Sequence, residues 1–193
     1  MPKLGLTPDE IRAKAIEISM EKIRTLGVDK LRLSDVAKSM GVSHAALYPY
    51  FDGKAALLDA VVERWLSKSE PPLQDIADSA APVEERIVDW FVTLYTIKRE
   101  RVLGDSQLFT AFDLAVVRGT PAAGHHLARL KGQLAGMVEE LNLGPSTEEA
   151  TSTLFFATGA FHHPGILSWM PDLDRTPELR LTLQAMLNGW PRR

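Results

Sequence analysis

The segment from Leu31 to Leu57, LRLSDVAKSMGVSHAALYPYFDGKAAL, most constrains what this chain can fold into, because it reads as two short helices about a tight turn and a third helix entered through a lysine. Val36, Ala37 and Met40 give the first helix, about Ser34 to Met40, a compact apolar face, while Asp35, Lys38 and Ser39 face outward. Gly41 permits the left-handed backbone that a sharp turn needs, and Val42 fills the angle between the helices. Ser43 is placed to cap the second helix, which presents His44, Ala45 and Ala46 outward and turns Leu47 and Phe51 inward. So short a helix cannot stand alone in water. It needs a scaffold, and a projecting helix of this kind suits insertion into a DNA major groove.

These residues carry a resemblance. Val36, Ala37, Gly41, Val42, Ser43, Leu47, Tyr48, Tyr50, Phe51, Lys54 and Leu57 follow a signature of a small-residue helix, Gly-Val-Ser, Leu-Tyr-x-His/Tyr-Phe, a short polar turn and Lys-x-x-Leu. The segment thereby resembles the DNA-binding domain of TetR-type (tetracycline repressor/AcrR-type) transcriptional regulators, over about Thr7 to Leu66; the rest of the chain matches in helix layout and length. The resemblance implies an all-α fold of about nine helices. A three-helix helix-turn-helix domain would cover residues 1–53, a connecting helix about 54–69, and a helical ligand-binding and dimerisation domain 70–193.

Composition agrees with a compact protein. At 45% apolar and 24% charged residues, the 193-residue chain can bury a core and is not disordered. It has no run as apolar as a bilayer span and no basic-then-apolar start, so a cytoplasmic protein is expected, with no membrane partner. The absence of cysteine excludes disulfides, thiol nucleophiles and thiolate metal sites. The net charge of -3 is unevenly spread: residues 1–54 hold nine Lys/Arg against seven Asp/Glu, and residues 55–193 thirteen against eighteen. A slightly basic end on an acidic body fits a DNA-facing head.

Start and stop signals place the other helices. Thr7, Pro8 and Glu10 form a capping-box start, Ile11, Ala15, Ile18, Ile23 and Leu26 supply a buried stripe, and Gly27 ends the helix. Leu57, Leu58, Val61, Val62 and Trp65 line a long helix from Lys54 to Ser69, which Glu70-Pro71-Pro72 ends. Further helices are expected over Val83 to Arg99, Asp105 to Arg118, Ala122 to Leu141, Ser146/Thr147 to His163 and Thr176 to Asn188, and no alternating strand pattern interrupts them.

The resemblance implies contact roles at matching positions. Tyr48 and Tyr50 stand where the family touches the phosphate backbone, the alternative being that one of them, Tyr50 above all, is only core packing. Lys54 would add its ammonium to a helix dipole at a phosphate. Ser43 can cap and touch phosphate together, and Ser34 is a substitute cap or phosphate contact because Arg32 stands where a capping Thr is usual. His44 is the candidate base reader, or simply an exposed histidine. Ala45 and Ala46 offer only methyl contact or close approach, which leaves specificity to DNA shape and phosphate register. Ala46 and Ala55 depart from the family's usual Thr and Glu, and Pro49 disfavours helical geometry at Tyr48, so the reading helix is expected to end or kink there.

For the C-terminal region, the resemblance implies a homodimer through Ser146 to His163 and Thr176 to Asn188, reading a near-palindromic double-stranded operator, and a cavity for a small-molecule effector of apolar or aromatic character. Trp90, Phe91, Tyr95, Phe109, Phe112, Met137, Phe156 and His162 are the residues expected to line or fill it; any one of them taken singly is more readily plain core, while a few of them together are expected to line a pocket. His125-His126 and His162-His163 cannot chelate as adjacent pairs, because neighbouring residues on a helix point about 100° apart; one member of each could meet across helices, with Asp113, but satisfied or exposed histidines are the commoner outcome, so no metal is expected, nor is any cofactor. Repressor is the default reading. An activator of the same fold, an enzyme, or a small-molecule binder that has lost operator binding are the alternatives, and no nucleophile elbow or phosphate loop supports an enzyme.

Overall fold

The computed structural model describes residues 6–191, and among them the chain is helical without a β-strand. The helices are α1 (Pro8–Leu26), α2 (Leu33–Met40), α3 (Gly53–Ser67), α4 (Glu70–Ala77), α5 (Val83–Gly104), α6 (Ser106–Arg118), α7 (Pro121–Glu140), α8 (Thr147–Ala157), α9 (Gly159–His162), α10 (Pro164–Trp169) and α11 (Thr176–Gly189). Nine of these have eight residues or more; α9 and α10 are shorter. The chain forms two compact units, one of residues up to 66 together with 105–124, the other of 67–104 together with the residues from 125 onward.

In the first unit α1 opens with the complete capping box, Thr7 accepting from the Glu10 amide while the Glu10 carboxylate accepts from the Thr7 amide. Its inward face is Ala15, Ile16, Ser19, Met20 and Ile23, rotated slightly from the expected stripe: Ile11 and Ile18 are half-buried and Leu26 is exposed. α2 buries Leu33, Val36, Ala37 and Met40 and stops at Gly41, whose backbone is left-handed (φ 72°, ψ 26°), with the Val42 amide donating back to Ala37. A 3₁₀ turn over His44–Leu47 follows.

This unit also takes in α6, a helix that the sequence reading assigned to the body. Arg24 of α1 grips the Asp105 carboxylate with two nitrogens at 3.0–3.3 Å, and the Trp65 indole of α3 donates to the same carboxylate at 3.2 Å. Trp65 packs against both Phe109 and Phe112, with ring centroids 6.0 Å apart in each case. One acid therefore ties three helices together.

In the second unit α4 begins at Glu70 and carries Pro71 and Pro72 in its first turn, where a missing N–H costs nothing, so the pair expected to end the preceding helix starts a new one. α5 runs through the unit and packs against α4, α9, α10 and α11, burying Ile87, Trp90, Phe91, Leu94 and Tyr95. The expected single helix from Ser146 to His163 is broken. Its start is a second full capping box, Ser146 with Glu149. Further along, helical geometry lapses at Thr158, whose hydroxyl donates to the Leu154 carbonyl at 2.7 Å, and His163 turns extended before Pro164.

Replacing Asp105 by Ala removes the shared acceptor and is expected to lower unfolding free energy by about 1–3 kcal/mol, measured by urea denaturation. Asp105→Asn should fall between, since its amide oxygen can still accept from the Trp65 indole.

Candidate nucleic-acid interface and sensor region

The reading turn is held by burial at its inner side. Leu47 is fully buried and Phe51 nearly so, while Ser43, His44, Ala45, Ala46 and Tyr48 are exposed. The turn ends at Leu47 before Pro49, yet Tyr48 keeps helical angles (φ -60°, ψ -33°), contrary to the sequence expectation. Helical geometry survives there because the Tyr50 and Phe51 amides both donate to the Leu47 carbonyl at 3.0 Å, closing one more turn around the proline. Ser43 stands at the N-cap position with extended backbone, but its side chain makes no cap bond, which leaves the hydroxyl outward.

Four of the sequence-selected residues converge. Ser34, His44, Tyr48 and Lys54 line one open recess, together with Leu31, Arg32, Leu33 and Gly53. The His44 and Tyr48 rings lie 5.0 Å apart and tilted by 51°. Lys54 reaches from the start of α3 to donate to the Asp29 carbonyl at 2.8 Å, which fixes its ammonium at the recess wall. Ala45 and Ala46 lie on the exposed side of the turn outside the recess, and Tyr50 is half-buried. Sequence reasoning passed over Arg12, whose guanidinium donates to the Tyr50 carbonyl at 3.2 Å and lies 5.2 Å from the Phe51 ring centroid. A cation on α1 thus satisfies a carbonyl that the short turn leaves open. Nothing in the local pattern of Arg12 announces a partner 38 residues away.

The residues selected for a sensor site divide between the units. Phe109 and Phe112 are buried in the first, beside Trp65. In the second, Trp90 donates from its indole to Gln133 and meets Phe91 edge to face at 5.0 Å. Phe91 lies 6.2 Å from the His162 ring. The Tyr95 hydroxyl donates to the Leu173 carbonyl and accepts from the Arg175 amide, both at 2.9 Å. Met137 borders an open cleft of about 650 Å³ between α4 and α7, walled by Glu70, Gln74, Arg129, Gln133 and Glu140. Phe156 points the other way and is 74% exposed beneath the Lys131 ammonium. Phe155 turns inward, and the next residue on a helix must point about 100° away.

One member of each histidine pair is internal. His162 is buried with Nε2 3.0 Å from the Phe155 carbonyl, to which it donates as the neutral Nε2–H form, and 3.3 Å from the Thr158 hydroxyl. Burial, with the Lys98 charge second, lowers its pKa to about 3. His126 is also lowered to about 3, by burial first and then by Lys98, Arg129 and Arg101. Lys98 itself is buried with its ammonium donating to the His162 carbonyl at 2.9 Å, and burial plus Arg101 lowers it to about 7. Lys98 also escaped the sequence reading, although its place in the stripe of Phe91, Leu94 and Tyr95 made its burial readable. Among the described residues no group of three or more His, Cys, Asp or Glu side chains is placed to hold a metal ion, and no helix is long and apolar enough to cross a membrane.

A short helix with a buried apolar face, a left-handed glycine turn and a short exposed 3₁₀ turn braced from behind define a helix-turn-helix reader. Comparison with known proteins agrees with that class. Residues 17–61 match bacterial regulatory proteins of the tetR family, and residues 83–179 match the tetracyclin repressor-like C-terminal domain. The chain belongs to the TetR family of transcriptional regulators. The HTH-type transcriptional regulator BetI of Rhizobium meliloti is 32% identical over 88 residues, 45% of this chain and 42% of that protein, so the match spans less than half of the relative. Among solved structures, FadR of Bacillus subtilis in complex with stearoyl-CoA superposes with a TM-score of 0.65 at 17% identity, covering 92% of this chain and 98% of the other. RolR in complex with resorcinol superposes at 0.64 and 17%, covering 96% and 89%. At such identities these two structures speak for the fold alone.

The two lowered histidines carry a pH dependence. In the unfolded chain each takes a proton near pH 6.5, in the folded chain only near pH 3, so between those values the unfolded state binds more protons and stability falls as the pH falls. Urea midpoints taken from about pH 4.5 to 7.5 should drop on the acid side, and His162→Gln should make that drop shallower. Equal slopes for both proteins would remove His162 from the account.

Proposed function

We propose that this protein is a ligand-responsive repressor that binds a near-palindromic operator as a homodimer. The observation that carries the proposal is the convergence of Ser34, His44, Tyr48 and Lys54 on one open recess beside the reading turn. Hydroxyl, phenol and ammonium donors suit phosphate oxygens, which set register on the duplex, while His44 is the side chain with base-reading chemistry at the start of the turn. Ser43, Ala45 and Ala46 complete the exposed face, and Tyr50 supports it from a half-buried position.

Dimerisation through the last long helices is supported by apolar side chains left outward there: Phe156 on α8 and Leu181 on α11 are 74% and 68% exposed. A two-fold dimer would present two reading turns to successive major grooves, about 34 Å apart in B-form DNA. An effector would act by favouring the DNA-incompetent state by a few kcal/mol. The relatives bound to stearoyl-CoA and to resorcinol support a small molecule with apolar or aromatic surface as its class. In this reading the protein works in the cytoplasm and catalyses no reaction.

The test is selection of bound fragments from a genomic DNA library by the purified protein, beside a Tyr48→Phe/Lys54→Ala double variant. The wild type should enrich one near-palindrome, and the variant should bind it roughly 10- to 100-fold more weakly, as expected for two lost phosphate contacts. Absence of any enrichment at low salt, by protein that native mass spectrometry finds dimeric and ligand-free, would overturn the repressor reading.

A further inference from the structure

Arg32 precedes α2 at the position where Ser, Thr, Asp or Asn ordinarily closes the first turn, and it does not close it. Its backbone is extended (φ -133°, ψ 138°) and no side-chain cap bond is formed. The chain thereby forgoes the stabilisation that a capping residue supplies. The Arg32 side chain is exposed and makes no hydrogen bond or ion pair among the described residues. It lines the same recess as Ser34, Tyr48 and Lys54.

We propose that Arg32 is a DNA-contacting residue that holds a backbone phosphate next to the one taken by Lys54. This rests on the reading of the recess as the face that meets DNA. The guanidinium is always charged and presents a planar fork that can give two parallel bonds to a phosphate, whereas Lys54 acts as a single charge. Lys54 already spends one donor on the Asp29 carbonyl. A second cation in the same recess therefore adds what one lysine cannot, a directional grip that fixes the roll of the reading turn against the strand. The need for such a grip follows from the turn itself, because the methyl side chains of Ala45 and Ala46 have no hydrogen-bonding group for a base edge. Affinity lost in the groove is recovered on the backbone.

The capping deficit supplies a test in which stability and binding move in opposite directions. Wild type, Arg32→Thr, Arg32→Ala and Arg32→Lys would be titrated by fluorescence anisotropy against a duplex recovered from the genomic selection and against a random duplex of equal length, across a series of NaCl concentrations. Arg32→Thr restores a cap, so its thermal midpoint should rise, while its slope of log affinity against log salt should fall by about 0.9 for each reading head. Arg32→Ala should show the same loss of slope without the gain in stability, and affinity should fall on both duplexes because a phosphate contact is indifferent to sequence. Arg32→Lys should keep most of the slope. Binding by all variants with the wild-type slope would overturn the proposal while leaving the DNA reader intact. Failure of the wild type to bind either duplex would overturn the reading of the recess, and the proposal with it.

Discussion

The reading turn depends on the burial of Leu47 and Phe51. A 3₁₀ turn of four residues has too few hydrogen bonds of its own to persist in water. It persists here because those two side chains sink into the first unit, Arg12 takes the Tyr50 carbonyl, and Gly41 delivers the chain at the right angle. Every outward residue, from Ser43 to Tyr48, is positioned by what its neighbours do on the inside. The recognition surface is in this sense the reverse side of a packing problem.

That packing was legible where residue identity and spacing act locally. Thr7 with Glu10, the left-handed Gly41 and the inward Leu47 and Phe51 each follow from one residue's chemistry and its immediate neighbours. Long-range pairing was not legible. The α6 segment has an aromatic face that any apolar partner could cover, and nothing local says that Asp105 will be shared by Arg24 and Trp65. The break in the helix after Ala157 falls at Thr158, just before Gly159, and a pattern of apolar positions carries no information about it. Phe155 and Phe156 illustrate a middle case. The sequence shows two adjacent aromatics, and helical geometry allows only one to face inward, but which one depends on the rotation of α8 in the unit.

The second unit places charge where apolar groups would pack more cheaply. Lys98 lies among aromatic residues, and its ammonium is bound to the carbonyl of His162, which in turn stays neutral against Phe155 and Thr158. An unpaired ion is costly in such surroundings, so buried ionisable groups settle into their neutral forms or find partners. The Lys98 bond joins α5 to the end of α9, next to the Pro164 interruption, so a polar link crosses the least regular stretch of that unit. Irregular helix and buried charge stabilise each other there: the broken helix frees a carbonyl, and the lysine takes it.

The membership of α6 in the first unit has a consequence for how such proteins exchange parts. Residues 105–124 return to complete a unit that began with the N-terminal helices, so the reader is not a contiguous cassette. A crossover placed after residue 66 would transplant Arg24 and Trp65 without the acid that both of them hold. Recombination between relatives can move the DNA-reading surface as one inherited piece only if two separated stretches travel together, or if the recipient already carries an aspartate and an aromatic face in the matching place.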